Sequence, residues 1–184
     1  MMSRSLSLAA ALLCLSGSSA AAQHEARHES HHPAIKLVET HRQLWKQVTS
    51  SVTRAAEQMP EADYSYRPVE TVRTFGELIG HIAGAQAMIC AIALGEAPPA
   101  EDAVEKSAKT KMALLAALEQ STAKCDKAYA QPDTSVLAAA TMFGMNTTRL
   151  YALGMNALHN GEHYGNMVTY MRMKGMVPPS SQNQ

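Results

Sequence analysis

Residues 73–95 read RTFGELIGHIAGAQAMICAIALG, and this stretch decides the fold. Thr74 and Glu77 stand three apart ahead of an apolar run. This is the capping-box pattern, in which the Thr hydroxyl and the Glu carboxylate each satisfy a backbone donor of the first helical turn. From there Phe75, Leu78, Ile82, Ala85, Ile89 and Ile92 recur by threes and fours, one face of an amphipathic helix. Gly95, with Pro98 and Pro99 just beyond, closes it. His81 falls between Leu78 and Ala85 at helical spacing, which turns it toward the same interior.

Upstream, Val38, His41, Trp45, Val48, Val52, Ala55 and Met59 mark one face of a helix of about 25 residues that ends near Pro60. Downstream, a third helix is expected from about Ala100 to Ala130, with Ala108, Met112, Leu115, Thr122, Cys125 and Tyr129 facing inward. Pro132 interrupts it. Residues 134–145, TSVLAAATMFGM, fit either a short helix or a hydrophobic connector. A last long helix begins near Asn146 and Thr147, runs to Lys174 and stops at Gly175, Pro178 and Pro179. No internal repeat and no alternating strand pattern is evident. Four long amphipathic helices predict an all-α fold, a four-helix bundle over residues 34–179 with a disordered tail at 180–184, and bundles build ligand sites from side chains converging on the core.

Composition agrees. Hydrophobic residues make up 46% and aromatics only 5%, a balance that favours helix formers over strand formers. Sixteen basic and 16 acidic residues leave no net field to draw the chain to nucleic acid. Residues 1–22 carry Arg4, an apolar stretch from Leu6 to Leu15 and a small-residue ending, the pattern of a cleaved signal peptide. The stretch is about half the roughly 20 residues of a membrane span, and no later segment is expected to reach that length. A secreted or periplasmic protein without membrane insertion follows. Cys14 lacks the small residues that precede a lipid-attachment site and leaves with the signal.

Residues 23–33, QHEARHESHHP, are expected to form a mobile His-rich leader, in which His24, His28, His31 and His32 would lack a scaffold for selective metal binding. Cys90 and Cys125 are expected to be free. On consecutive antiparallel helices their offset would be roughly 25 to 30 Å at 1.5 Å per residue, against a limit of about 7 Å between the Cα atoms of a disulfide.

His159 and His163 stand four apart on the last helix, so both rings leave the same face one turn apart and can share an ion. A third ligand is needed, and His81, turned toward the same interior, is the candidate. Three neutral imidazoles leave coordination positions open on Zn²⁺ or Ni²⁺, a catalytic rather than a closed structural arrangement. His41 is a weaker candidate. The string HNGEH also fits the inverted zinc-protease motif H-x-x-E-H, but the 21 residues after His163 contain no acidic residue to complete that site. Glu162 lies about 100° around the helix from His163 and points to solvent or toward an imidazole N–H. Gly154, Gly161 and Gly165 each cost the last helix about 1 kcal/mol relative to Ala, which close approach of a neighbouring helix or room for a ligand would offset.

The chain resembles the DinB/YfiT-like superfamily. The resemblance rests on Tyr64-Ser-Tyr-Arg-Pro68 and on Arg73-Thr-Phe-Gly-Glu-Leu-Ile-Gly-His81-Ile. It continues with His159-x-x-x-His163-x-Gly165-Asn166 and the run from Tyr170 through Arg172 and Gly175 to Pro178-Pro179. It implies a four-helix bundle with a divalent metal held by three histidines, which carry over to His81, His159 and His163. Asn166 stands where the family often has Gln. Family members with known activity are similar to thiol transferases and thiol-dependent isomerases, in which the metal lowers a thiol's pKa.

Two functions follow as expectations. The first is a metal-dependent hydrolase or thiol transferase acting on a small-molecule substrate, the metal supplying a nucleophile at neutral pH from water or from a thiol. Tyr64, Tyr66 and Arg67 are candidates for its mouth. The second is a non-catalytic metal or small-ligand binder of the cell envelope. A third possibility is a structural bundle with packed, empty histidines. A homodimer is expected, and metal binding is expected to weaken as pH falls through about 6.5.

Overall fold

The structure is a computed structural model that describes residues 36–182. The expected signal peptide at residues 1–22 and the leader at 23–33 lie outside the described residues.

Helix α1 spans Leu37–Gln58. Helix α2 spans Phe75–Leu94 and begins on the expected box, Glu77 N–H donating to Thr74 Oγ1 at 3.2 Å and Thr74 N–H to Glu77 Oε2 at 2.7 Å. Gly95 ends it in the left-handed region at φ 78°, where a Cβ would be strained. The short α3 spans Ala103–Ser107 and α4 spans Lys111–Ala128, capped by Thr110. Then come α5 at Asp133–Val136, strands β1 at Ala139–Met142 and β2 at Met145–Thr148, and α6 at Arg149–Met173.

Two helices run each way. Leu114 of α4 lies beside Gly76 and Gly80 near the start of α2, and Cys125 meets Cys90 near its end, so α2 and α4 are parallel. Tyr170 O–H donates to Arg73 O at 2.9 Å and Arg149 Nη1 to Leu94 O at 3.3 Å, which makes α6 antiparallel to α2. His41 faces Gly154 and Arg54 reaches Pro179 O, so α1 runs with α6.

This topology corrects the third helix. The single helix expected over about 100–130 is broken at residues 108–110, and the chain leaving α2 runs back along it before α4 starts. The apolar face expected for the whole segment therefore changes register at the break. Met112 is 80% exposed, and the inward set on α4 is Leu114, Leu118, Ser121, Cys125 and Ala128.

The same return path overturns the expectation of two free thiols. Cys90 and Cys125 form a disulfide with a Cα separation of 5.1 Å. The offset argued from antiparallel neighbours vanishes once the helices are parallel, because residues 35 apart then share one level.

Residues 134–145 turn out to be neither alternative alone. They end α5 and enter a two-stranded antiparallel hairpin, paired Ala139 to Thr148 and Met142 to Met145. Phe143 and Gly144 take positive φ of 51° and 76°, the two-residue turn that suits the twist of a hairpin. Of the disordered tail expected at 180–184, residues 180–182 are described and are ordered. A 3-10 turn covers Pro179–Ser181, Tyr164 O–H accepts from Ser180 N–H at 2.9 Å, and Gln58 Nε2 donates to Gln182 Oε1 at 3.2 Å.

By length and composition α2 could cross a membrane, contrary to the expectation that no later segment reaches that size. Its apolarity is that of a core helix, with 72% of its most apolar window buried. It contributes to two apolar clusters, its first half to one around Val52, Phe75, Ile79 and Met171 and its second half to one around Trp45, Ile89, Tyr129 and Leu153.

Between them lies a polar belt. Gln86 Oε1 accepts from Trp45 Nε1 and Asn160 Nδ2, each at 3.1 Å, and Gln86 Nε2 donates to Ser121 Oγ at 3.2 Å. Asn160 Nδ2 also donates to Thr49 Oγ1 at 3.0 Å. Leaving one of these buried donors unpaired would cost about 1 to 3 kcal/mol, so the belt fixes the register of α1, α2, α4 and α6 together.

Candidate metal centre

His159 immediately precedes Asn160, so the belt that fixes α6 also fixes the histidine beside it. The structure brings together all three histidines singled out from the sequence. His159 Nε2 lies 3.1 Å from His81 Nε2 and 3.1 Å from His163 Nε2, and one ligand atom from each ring falls within 4.8 Å of the others. His81 is 9% exposed and His163 8%.

Burial holds all three rings neutral. Each has its pKa lowered from 6.5 to about 4, first by desolvation and then by a neighbouring charge: Arg73 for His81, the His81 ring for His159, and the His159 ring for His163. The side chain of Asn160, next to His159, acts in the opposite sense on that ring, after burial and the His81 ring.

The donor set fits a divalent ion. Ligand nitrogens about 2.0 to 2.1 Å from an ion lie roughly 2.8 to 3.0 Å from each other in cis octahedral positions and roughly 3.3 to 3.4 Å in tetrahedral ones, a range that brackets the spacing seen here. A neutral imidazole carries one proton, so a ring whose Nδ1 is the donor turns a lone pair into the cluster. Lone pairs converging on one point repel one another unless a cation or a proton lies between them.

The surroundings of each Nδ1 differ. His81 Nδ1 faces Glu105 Oε2 at 3.7 Å and Glu101 Oε1 at 3.8 Å. The Asn166 side-chain amide lies 3.4 Å from His163 Nδ1, and a half-turn of that amide offers the ring N–H an acceptor. His159 Nδ1 is buried with no partner in hydrogen-bond geometry.

A cavity of about 580 Å³ reaches His163 and is lined by Arg73, Glu77, Glu105, Asn166 and Tyr170 among others. A larger groove of about 970 Å³, lined by Thr53, Glu57, Leu115 and Glu119 among others, contains none of the three histidines.

Other sequence candidates fall elsewhere. His41 Nδ1 pairs with Leu37 O at 2.9 Å, one turn back on its own helix, and takes no part in the cluster. Glu162 is exposed. Tyr64 is a core anchor, its O–H donating to Ala56 O at 2.6 Å. Tyr66 packs edge-on against Tyr170, and Arg67 pairs with Glu70 at 2.8 Å. A Cβ at Gly154 would lie 3.4 Å from the His41 ring and one at Gly161 3.9 Å from Val48, while nothing lies within 4 Å of a Cβ at Gly165.

Sequence reasoning missed Arg73, Glu101, Glu105 and Tyr170 as parts of the site. For Glu101 and Glu105 the available signal was the pair Gly80 and Gly84, one turn apart on α2 and flanking His81, and for Arg73 and Tyr170 it was their place in the motifs that carry the family resemblance. A Cβ at Gly80 would come within 2.8 Å of Glu105 Cα, and one at Gly84 would overlap Glu101 O.

Known proteins share this architecture. A DinB-like protein from Bacillus cereus ATCC 10987 superposes with a TM-score of 0.67 at 17% identity, covering 77% of this chain and 95% of that one. A DinB-like protein from Bacillus subtilis gives a TM-score of 0.61 at 22% identity, covering 80% and 99%. The mycothiol-dependent maleylpyruvate isomerase gives 0.63 at 19% identity over 71% of this chain, which spans only 60% of that enzyme. None of the curated protein sequences matches. The family model of the DinB superfamily matches residues 44–167, a span that holds the bundle from α1 to α6 and all three histidines, and the chain belongs to that superfamily.

Proposed function

We propose that the protein is a divalent-metal-dependent enzyme of the cell envelope, a hydrolase in the first instance, with the ion held by His81, His159 and His163. The observation that carries this reading is the convergence of three neutral Nε2 atoms beside a cavity of about 580 Å³. Zn²⁺ or Ni²⁺ suits an all-imidazole set. When bound, such an ion supplies a nucleophile at neutral pH by lowering the pKa of water or of a thiol. The chain's own part is to hold the three rings in place through α2 and α6, to exclude bulk water by burial, and to receive the substrate between Arg73 and Tyr170.

Two observations weigh between water and a thiol. The Cys90–Cys125 disulfide suits an oxidising compartment, in keeping with the signal-like residues 1–22, and a cytosolic thiol cofactor would be scarce there. This favours hydrolysis. The fold likeness to a mycothiol-dependent isomerase favours a thiol as the second reading.

Elemental analysis of untagged protein purified from the envelope tests the metal. About one Zn or Ni per chain is expected, and its absence would leave a bundle with packed, empty histidines. Hydrolysis of small activated esters and amides, measured with and without an added thiol, then separates the two chemistries. Metal at full stoichiometry with no turnover of either kind would make the protein a non-catalytic binder.

A further inference from the structure

We infer that Glu105 is a positioning residue for the candidate metal centre: by facing His81 Nδ1 it holds the ring proton there and presents the Nε2 lone pair to the ion. This rests on the metal reading above and assigns a role to a residue outside the three ligands.

The connector between α2 and α4 is the physical basis. It lies directly on the backbone of α2, because Gly80 and Gly84 leave no side chain under Glu105 and Glu101. The carboxylates of Glu105 and Glu101, four residues apart, therefore both face the same ring atom, at 3.7 and 3.8 Å from His81 Nδ1. A small side-chain adjustment closes either distance to a hydrogen bond.

Glu105 is the better placed of the two. Its side chain is 20% exposed against 36% for Glu101, and its other oxygen accepts from Arg73 Nε at 2.9 Å. Arg73 is held in turn, since its carbonyl accepts from Tyr170 O–H. The chain Tyr170, Arg73, Glu105, His81 thus runs from the cavity wall to a ligand with each group oriented by the next. Glu101 has no such support.

The chemistry follows from ligand basicity. A carboxylate accepting a hydrogen bond from Nδ1–H fixes the tautomer and makes the opposite nitrogen a better electron-pair donor to the metal. Neither other ring has a carboxylate at its Nδ1, since His163 faces an amide and His159 Nδ1 has no partner in hydrogen-bond geometry. His81 becomes the anchoring ligand of the three.

The test uses the full chain loaded with Co²⁺, whose visible d–d bands report the ligand field, together with Zn²⁺ affinity by chelator competition. Glu105→Gln should weaken both metals roughly 10- to 100-fold and shift the cobalt bands, and Glu101→Gln should change affinity less than about threefold. In a His81→Ala background Glu105→Gln should have no further effect. A parent chain that binds while Glu105→Gln binds equally overturns the inference alone, as does an equal loss in the His81→Ala background. A parent that binds no cobalt or zinc overturns the metal reading and this inference with it. ¹⁵N-histidine NMR of the zinc-loaded parent checks the tautomer without any variant. His81 should carry its proton on Nδ1, and a proton on Nε2 would refute the assignment even if Glu105→Gln failed to fold.

Discussion

Gly84 and the Glu101 carbonyl are in direct backbone contact: a methyl group at Gly84 would overlap the carbonyl oxygen. The connector that brings two carboxylates to His81 is seated on bare helix backbone, and the missing side chains are what allow it to pass there.

Gly84→Ala should therefore destabilise the fold, despite the better helix propensity of Ala. Overpacking against rigid backbone costs about 1 to 3 kcal/mol, more than the roughly 1 kcal/mol a mid-helix Gly→Ala gains. Gly165→Ala, with nothing within 4 Å of the new Cβ, should instead stabilise by about 0.5 to 1 kcal/mol. Urea unfolding of both variants checks the pair. A Gly84→Ala protein as stable as Gly165→Ala would mean that the connector moves aside freely.

The disulfide predicts its own titration. Denatured, unreduced protein should show no thiol from Cys90 or Cys125. Closing a loop with a sequence separation of 35 should add about 3 to 4 kcal/mol in the chain-entropy account. Reduction, or the double variant Cys90→Ala with Cys125→Ala, should lower the melting temperature accordingly. Calorimetry with and without reductant measures this, and an unchanged transition would show that the bond does not bear on stability.

Much of this architecture was legible in the residues. Thr74, Glu77 and Gly95 placed both ends of α2, and helical spacing made candidates of His81, His159 and His163, which the family resemblance joined into one ligand set. The bundle register was not, because it depends on the path between α2 and α4. No local pattern announces that residues 95–110 run back along a helix. Only the small faces of Gly80 and Gly84 hint at it, and the error propagated to Cys125, Met112 and Glu105 alike. The hairpin escaped for a different reason. Its strands have four residues each, and its turn uses Phe143 ahead of Gly144 in place of the usual Asn or Asp.

Acid should act on the metal-free protein through the three buried rings. Their pKa near 4 in the fold lies below the unfolded value of 6.5. Between those values the unfolded chain takes up protons that the folded chain does not. Stability is therefore full above about pH 6.5 and declines as pH falls toward 4. Thermal melts of chelator-treated protein across that window should show the decline, and replacing His81 with Gln should flatten it. The same rings compete with protons for metal only near their own pKa, so binding should persist below 6.5 and weaken toward 4. Loss of metal centred at pH 6.5 would indicate solvated, unperturbed histidines.

Removal of single ligands separates the cluster from the other histidines. His81→Ala or His163→Ala leaves two imidazoles, which cannot hold an ion in a fixed open geometry, and affinity for Zn²⁺ should fall by at least about 100-fold. His41→Ala should leave affinity unchanged, because its Nδ1 is engaged with Leu37 O on its own helix and the ring lies outside the cluster. Deletion of residues 23–33 should likewise leave one high-affinity site. Equilibrium dialysis of the four proteins against zinc decides the matter. Zinc that survives His81→Ala but departs with residues 23–33 would assign the metal to the His-rich leader and make the bundle histidines core residues.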